Sequence, residues 1–404
     1  MMEGGFFMSS MCGIVDFEKK SVDFSTLREM GRSMVLRGQD QSGAYLKGGI
    51  GLFHNRALGG ESESARQPYT VLRNGFAYTV MMDGELFESR AEDGSFSCFG
   101  FESAAEAIVD AYLSHGLDFA PYVSGSFAFA LCDEYRGEVI LARSADGARP
   151  LYYTHHEGRL VFASEIKGML RGLDGGLLVD SMALRRHWLS LAGIGAGLYP
   201  AISEVTAGTC WIVSRIDSQE CMLPLVREKI TEAVEGELLN PTAEGAMPID
   251  ACLETALQAF DYPQFDVEMP AYMETLARAR AKNARTVRIL DGTRRESLPY
   301  ARIREDRLGG FYGLRVYGVM PPDEGKGRVQ RKAWRALESA LEERAAACDD
   351  RLLRSMYGHG VWDAVRGEKS QVRRIRMLGM LCQSEQWIER YGVQIGDRVC
   401  RIRA

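Results

Sequence analysis

Near its start the chain reads Met11-Cys12-Gly13-Ile14-Val15-Asp16-Phe17. The cysteine has two readings. If Met11 initiates translation and is trimmed, Cys12 becomes the N-terminus, and its own α-amino group, with an ordinary pKa near ~8, can act as base for its thiol. If Cys12 is internal, it is a small buried residue opening a strand, the commoner fate of free cysteine. Ten residues precede Met11, and an amide-linked Cys12 has no amine to serve as base. Either Met11 is the true start, the extension is cleaved, or Cys12 is inert. The other cysteines (98, 132, 210, 221, 252, 348, 382 and 400) sit in no comparable motif. Without Cys-x-x-Cys pairs they suit reduced cytoplasmic thiols rather than a disulfide framework. The six histidines lack metal spacing, with no His-Glu-x-x-His, so no structural metal is expected.

A nucleophile at a strand end needs a scaffold to hold it. Residues 11–170 carry short apolar stretches broken by glycine: Cys12–Phe17, Ala44–Leu46, Gly51–Asn55, Phe76–Met82, Ser126–Cys132, Val139–Arg143, Leu151–Tyr153 and Leu160–Ala163. Strands this frequent predict sheet packed on sheet. Thr26–Leu36 and Ala104–His115 instead show helical spacing, and Ser103 with Glu106 makes a capping box. Two antiparallel sheets with helices on their outer faces fit this pattern. Beyond about residue 215 the character changes. Pro224–Glu237 reads helical, Leu239–Pro248 reads as a linker, and Ile249–Phe260, Pro270–Lys282, Arg331–Ala347 and Val372–Tyr391 have helical periodicity.

The 404 residues are 46% hydrophobic and 26% charged, with a formal net charge of -6. That is an ordinary globular composition with room for two or three domains. The acidic balance argues against nucleic acid or an anionic membrane surface as partner. There is no apolar run long enough to cross a bilayer, and the first eleven residues lack the charge and apolar length of a signal peptide. The Arg/Lys-rich stretches 278–295 and 372–376 read as solvated helix faces, and Gly193–Gly197 as a turn.

In order along the chain, the motifs resemble the asparagine synthetase family, whose N-terminal half is a class II glutamine amidotransferase. Met11-Cys12-Gly13-Ile14 matches its opening, and Leu36-Arg37-Gly38-Gln39-Asp40 its His-Arg-Gly-Pro-Asp turn. His54-Asn55-Arg56-Ala57-Leu58 matches its His-x-Arg-Leu stretch, and Asp83-Gly84-Glu85-Leu86-Phe87-Glu88 its Asn-Gly-Glu-Ile-Tyr-Asn. Gly125–Ala130, Leu141–Arg143 through Pro150–Tyr153, and Phe162–Lys167 follow the family closely. The resemblance implies an α+β chain. A four-layer αββα N-terminal-nucleophile sandwich over 11–215 would follow an extension at 1–10. A helix and linker at 216–248 would lead to a mainly helical, shortened synthetase-like α/β domain at 249–404.

The same resemblance implies that glutamine is the substrate and Cys12 the attacking thiol. The Gly84 N–H would hold the oxyanion, Arg56 would clamp the substrate carboxylate, and Glu85 is a second substrate-contact candidate. Departures run beside these matches. Asp83 stands where the family has an oxyanion-stabilising asparagine, and a carboxylate puts negative charge where negative charge develops. Ala104 falls where an acid would hold the substrate amine, although Glu102 is nearby. Leu36 replaces the motif histidine, and Ser144 replaces an aspartate.

In the second half, Phe260–Asp266, Pro270–Arg278 and Val287–Gly292 resemble the synthetase domain. The ATP-pyrophosphatase signature Ser-Gly-Gly-x-Asp-Ser is absent, and its later acidic element is reduced to Asp291–Glu296. No cofactor is therefore expected; ATP and Mg would enter only with a working synthetase site. Two functions fit: a glutamine amidotransferase acting through Cys12, or a catalytically silent binding or regulatory scaffold. Either could work with a protein partner or as a homo-oligomer.

Overall fold

A computed structural model describes residues 9–18, 20–57, 66–86, 101, 103–156, 158–173, 178–189, 197–214, 218–222, 237–239, 246–282, 284, 286–290, 304, 307–309, 311–312, 315–319 and 328–396. The chain divides into two compact units, 1–174 with 202–233, and 175–201 with 234–403. Residues 175–201, assigned from sequence to the first domain, therefore belong with the second unit.

In chain order the strands of the N-terminal half are β1 (Ser9–Asp16), β2 (Gln41–Lys47), β3 (Ile50–Arg56), β4 (Tyr69–Arg73), β5 (Phe76–Leu86), β6 (Gly125–Asp133), β7 (Glu138–Arg143), β8 (Tyr152–His156) and β9 (Arg159–Ala163). After them come β10 (Leu178–Asp180), β11 (Ser203–Glu204), β12 (Thr209–Ser214) and β13 (Ser218–Met222). Twelve of these build the first unit as two six-stranded sheets, ordered β11-β8-β9-β1-β3-β2 and β13-β12-β7-β6-β5-β4. Neighbours in both sheets are antiparallel.

Period-two patterning decides which face each residue takes. Along β6, Ala128, Ala130 and Cys132 point between the sheets, while Phe127, Phe129 and Leu131 point outward. Small residues inside let the sheets approach, and the outward aromatics meet helix α2 (Ala104–His115) through Ile108 and Tyr112. Along β1 the inner face carries Met11 and Val15, and the outer face Cys12 and Ile14. That outer face packs on α1 (Phe24–Ser33) and α3 (Ile166–Gly172) through Leu27, Met30 and Met169. The result is the expected four-layer αββα arrangement.

Local signals fix the ends of these elements. Asp23 caps α1 by accepting the Thr26 N–H, and Ser103 accepts the Glu106 N–H at 3.2 Å, as the capping box requires. Asn74 and Gly75, with φ of 52° and 84°, form the two-residue turn joining β4 to β5. Asn-Gly supplies the left-handed conformations such a hairpin needs.

The second unit has its own core. A parallel three-stranded sheet runs Glu237–Leu239, Thr286–Leu290, Arg315–Val319. Helices α4 (Ser181–Leu189), α5 (Ile249–Phe260) and α6 (Met269–Ala281) belong to this unit, as do the long helices Arg328–Ala347 and Gln371–Tyr391. The loop after α5 is buried from Asp261 to Asp266. Its backbone is held by Trp387, which donates to the Asp261 carbonyl, and by Gln383, which accepts the Gln264 N–H. The expected helix over Pro224–Glu237, apart from Glu237, lies outside the described residues. So do residues 193–196 of the glycine-rich turn and the acidic element Asp291–Glu296.

Candidate active site

β1 begins at Ser9, three residues before Cys12, so the Cys12 nitrogen is a peptide nitrogen inside a strand. Cys12 opposes Phe53 of β3 on one side and Ala163 of β9 on the other. Its side chain is fully buried in the apolar layer beneath α1 and α3. Burial pushes its thiol far above the ordinary range. The thiolate is the attacking species, and this environment withholds it.

Arg56 opposes Ser9 and His54 opposes Met11. Residues directly opposite in an antiparallel ladder share a face, and alternate residues along a strand take opposite faces. Arg56 and His54 therefore lie on the inner face of the sheet, and Cys12 on the outer. The structure does not bring the expected nucleophile and substrate clamp together. It does gather Arg56, Gly84 and Asp83 at the strand ends near Ser9.

Asp83 is fully buried and holds two partners closely. One carboxylate oxygen accepts the Ser9 N–H at 3.0 Å, and the other accepts from the Arg37 guanidinium at 2.9 Å. Arg149 approaches to 3.9 Å. Arg37 Nε donates to the Ser9 carbonyl at 3.3 Å, so Asp83 and Arg37 together clamp both polar groups of one peptide residue. Arg37 also lies 3.8 Å from Glu165, which pairs with Lys167 at 2.7 Å. Charges this deep persist only when paired and hydrogen bonded. Asp83 is thus the hub of a structural ion network. Ser164 completes the clamp on β1: its hydroxyl accepts the Met11 N–H and its own N–H donates to the Met11 carbonyl.

Gly84 adopts a backbone conformation that favours glycine. Its φ is 116°, and a Cβ there would lie 2.1 Å from the Ser126 carbonyl oxygen, so only glycine fits. Phe127 opposite it turns both N–H and C=O to Ser144. The Gly84–Phe127 pair is therefore not hydrogen bonded, and the Gly84 N–H faces away from β6. Two residues earlier, Met82 also turns from β6. Its N–H is accepted by Gln67 Oε1 at 2.6 Å, and its carbonyl accepts from His54 Nε2 at 3.0 Å. A carbonyl can only accept, so His54 carries its proton on Nε2. Burial lowers its pKa from 6.5 to about 4, keeping it neutral. Glu85 is half-buried and opposes Ser126. Ala104 is the first residue of α2, while Glu102 lies outside the described residues.

Gln41, Ser42, Gly43, His54, Arg56, Arg66 and Gln67 line a cavity of about 270 Å³. Sequence reasoning singled out Arg56 but missed the roles of Arg37, His54, Glu165, Lys167 and Arg66. Among the described residues no cluster of three or more His, Cys, Asp or Glu could hold a metal, and no helix is long and apolar enough to cross a membrane.

Comparison with known proteins adds the following. The family described as "Glutamine amidotransferase domain" matches residues 8–222. Asparagine synthetase [glutamine-hydrolyzing] 3 of Bacillus subtilis (strain 168) is 29% identical over 209 residues, which is 48% of this chain and 33% of that protein. Asparagine synthetase B [glutamine-hydrolyzing] of Escherichia coli (strain K12) is 30% identical over 168 residues, covering 40% of this chain and 30% of that protein. The matched stretches therefore span about a third of these relatives. A solved structure titled as the allosteric regulatory enzyme of purine biosynthesis aligns with 15% identity and a TM-score of 0.41, covering 80% of this chain and 69% of that one.

Proposed function

The chain belongs to the glutamine amidotransferase domain family, and from that premise we propose that it is an asparagine-synthetase-type member kept as a binding scaffold, silent at Cys12 while β1 runs on to Ser9. One observation carries this reading: the Cys12 side chain lies under α1 and α3, on the sheet face opposite Arg56. Attack on a substrate held by Arg56 would need the thiol on the other face, ionised, with reacting atoms about 3–3.5 Å apart. The Asp83 carboxylate adds a second obstacle, because it offers no N–H to a developing oxyanion.

The test is glutamate release by the full chain, with intact mass measured before and after a glutamine-analogue electrophile. No release and no adduct are expected. Turnover, or a single adduct mapped to Cys12, would overturn the reading.

A second reading is favoured by Gly84, whose N–H still faces away from β6 on the same strand edge as Met82. In a chain starting at Cys12, the freed amine would take the thiol proton. The thiolate would attack the glutamine side-chain amide, ammonia would leave, and water would clear the thioester. A protein expressed from Met11, with a mass beginning at Cys12, would then release glutamate where the longer chain does not.

For the second unit we propose no ATP-dependent synthesis. The 404 residues contain no Ser-Gly-Gly-x-Asp-Ser loop, whose backbone N–H groups would cradle pyrophosphate. ATP-to-pyrophosphate conversion with aspartate present would refute this.

A further inference from the structure

The residues that the family resemblance groups around a nucleophile surround Ser9 and not Cys12. The inner face of β1 runs from Val15 and Met11 to Ser9, which opposes Arg56. Both backbone groups of Ser9 turn to Asp83 and Arg37, and the Arg56 carbonyl turns to the Asp40 N–H. The Ser9–Arg56 pair is therefore not hydrogen bonded. Such pairs bring facing side chains closest, with α-carbons about 4.5 Å apart. Asp83, which accepts the Ser9 N–H at 3.0 Å, directly precedes Gly84. The other β1 candidates are committed elsewhere. The Ser10 hydroxyl donates to the Met34 carbonyl at 3.2 Å and accepts from the Asn55 amide at 3.0 Å, while Cys12 is sealed beneath α1 and α3. Among the described residues the Ser9 hydroxyl has no hydrogen-bond partner. Met8 directly precedes Ser9, just as Met11 precedes Cys12, so a chain begun at Met8 exposes an N-terminal serine by losing one methionine.

We propose that Ser9 holds the nucleophile position of this fold, so that in a chain beginning at Ser9 its hydroxyl attacks a side-chain carboxamide and Cys12 takes no part. The inference rests on the family reading for its substrate, glutamine. A hydroxyl with its own α-amine as base is a known variant of the nucleophile–base pair. The freed amine takes the hydroxyl proton, and the oxygen attacks the carbonyl carbon of the amide. The C–N bond then breaks as that proton passes to the departing ammonia. Water adds to the resulting ester, releasing glutamate and restoring the hydroxyl. The Asp83 carboxylate, which accepts the Ser9 N–H in the longer chain, holds the freed amine in the same place. Because Asp83 donates nothing to the oxyanion, the Gly84 N–H meets it without an asparagine beside it, and one missing donor slows turnover about 10²–10³-fold.

The test compares the full chain with chains expressed from Met8 and from Met11, each checked by intact mass. The chain from Met8 retains every described residue. It is expected to melt close to the full chain and to release glutamate slowly from glutamine. A glutamine-analogue electrophile should leave one adduct, mapped by peptide mass to Ser9. In that chain Ser9→Ala should abolish release, and Ser9→Cys, with the stronger nucleophile, should raise it about tenfold or more. The full chain and the chain from Met11 should stay silent. An adduct on Cys12 in the chain from Met8, or release that survives Ser9→Ala, would overturn the proposal. So would loss of its cooperative melting transition, because the Asp83 clamp must hold a free terminus. Silence of all three chains would overturn this inference and leave the scaffold reading standing, whereas release by the full chain, mapped to Cys12, would overturn both.

Discussion

Replacing Asp83 by asparagine installs the residue that the resemblance to the asparagine synthetase family implies at this position, and simple motif logic expects a gain of function. The structure leads to the opposite expectation. Asp83 is 0% exposed and neutralises Arg37 at 2.9 Å; the carboxylate next nearest to Arg37, Glu165, lies 3.8 Å away and is itself already paired with Lys167. Removing one partner of a buried ion pair costs about 3–5 kcal/mol. The asparagine oxygen can still accept the Ser9 N–H, which recovers about 1 kcal/mol. Its NH₂ group, however, would meet the Arg37 donors.

A net loss of about 3 kcal/mol is roughly a hundredfold change in the local opening equilibrium. Amide hydrogen exchange over β1 is the assay, because opening at Ser9 releases that strand. Asp83→Asn is expected to raise exchange of the β1 amides about a hundredfold and to release no glutamate. Asp83→Asn with Arg37→Gln, which removes both charges, is expected to recover much of the protection. Unchanged β1 exchange in the single variant, with glutamine hydrolysis appearing, would refute the reasoning: Asp83 would then be a simple lesion in an intact site.

Two further predictions follow from the same region. His54 is neutral when folded, with its pKa lowered from 6.5 to about 4, so between those values the unfolded chain binds the extra proton. Stability should therefore fall as pH drops through that window, by about 3 kcal/mol in all at about 1.4 kcal/mol per pH unit. Urea unfolding at pH 7 and pH 5 measures it, and His54→Gln should flatten the slope. Gly84→Ala forces a Cβ to within 2.1 Å of the Ser126 carbonyl oxygen at a φ of 116°. A cost of about 2 kcal/mol should lower the melting transition by about 4–8 °C, readable by far-UV circular dichroism; an unchanged transition would show that β5 and β6 can part there without cost.

Much of the architecture was legible because it depends on short-range patterns. Short apolar stretches placed β6 and β9, helical spacing placed α2 and α5 at their observed ends, and Ser103 marked its helix start. Strands β4, β10, β11, β12 and β13 were missed, and so were α3 and α4. These strands pair at or near a sheet edge, and the two helices are short. Such elements owe their form to neighbours rather than to their own periodicity.

By itself the sequence determined the family, the order of the motifs, the aspartate at position 83 and the absence of a Ser-Gly-Gly-x-Asp-Ser run from the 404 residues, because each is a matter of residue type at a position. Only the tertiary structure decided what those residues do to one another. The register of β1 against β3 assigns Cys12 and Arg56 to opposite faces, since a strand's side chains alternate and a ladder's partners share a face. Burial then converts Asp83 from an apparent defect in a pocket into the counter-ion of Arg37, two residues 46 positions apart in the chain. Neither fact is written in any local stretch, because both arise where distant segments exclude water together.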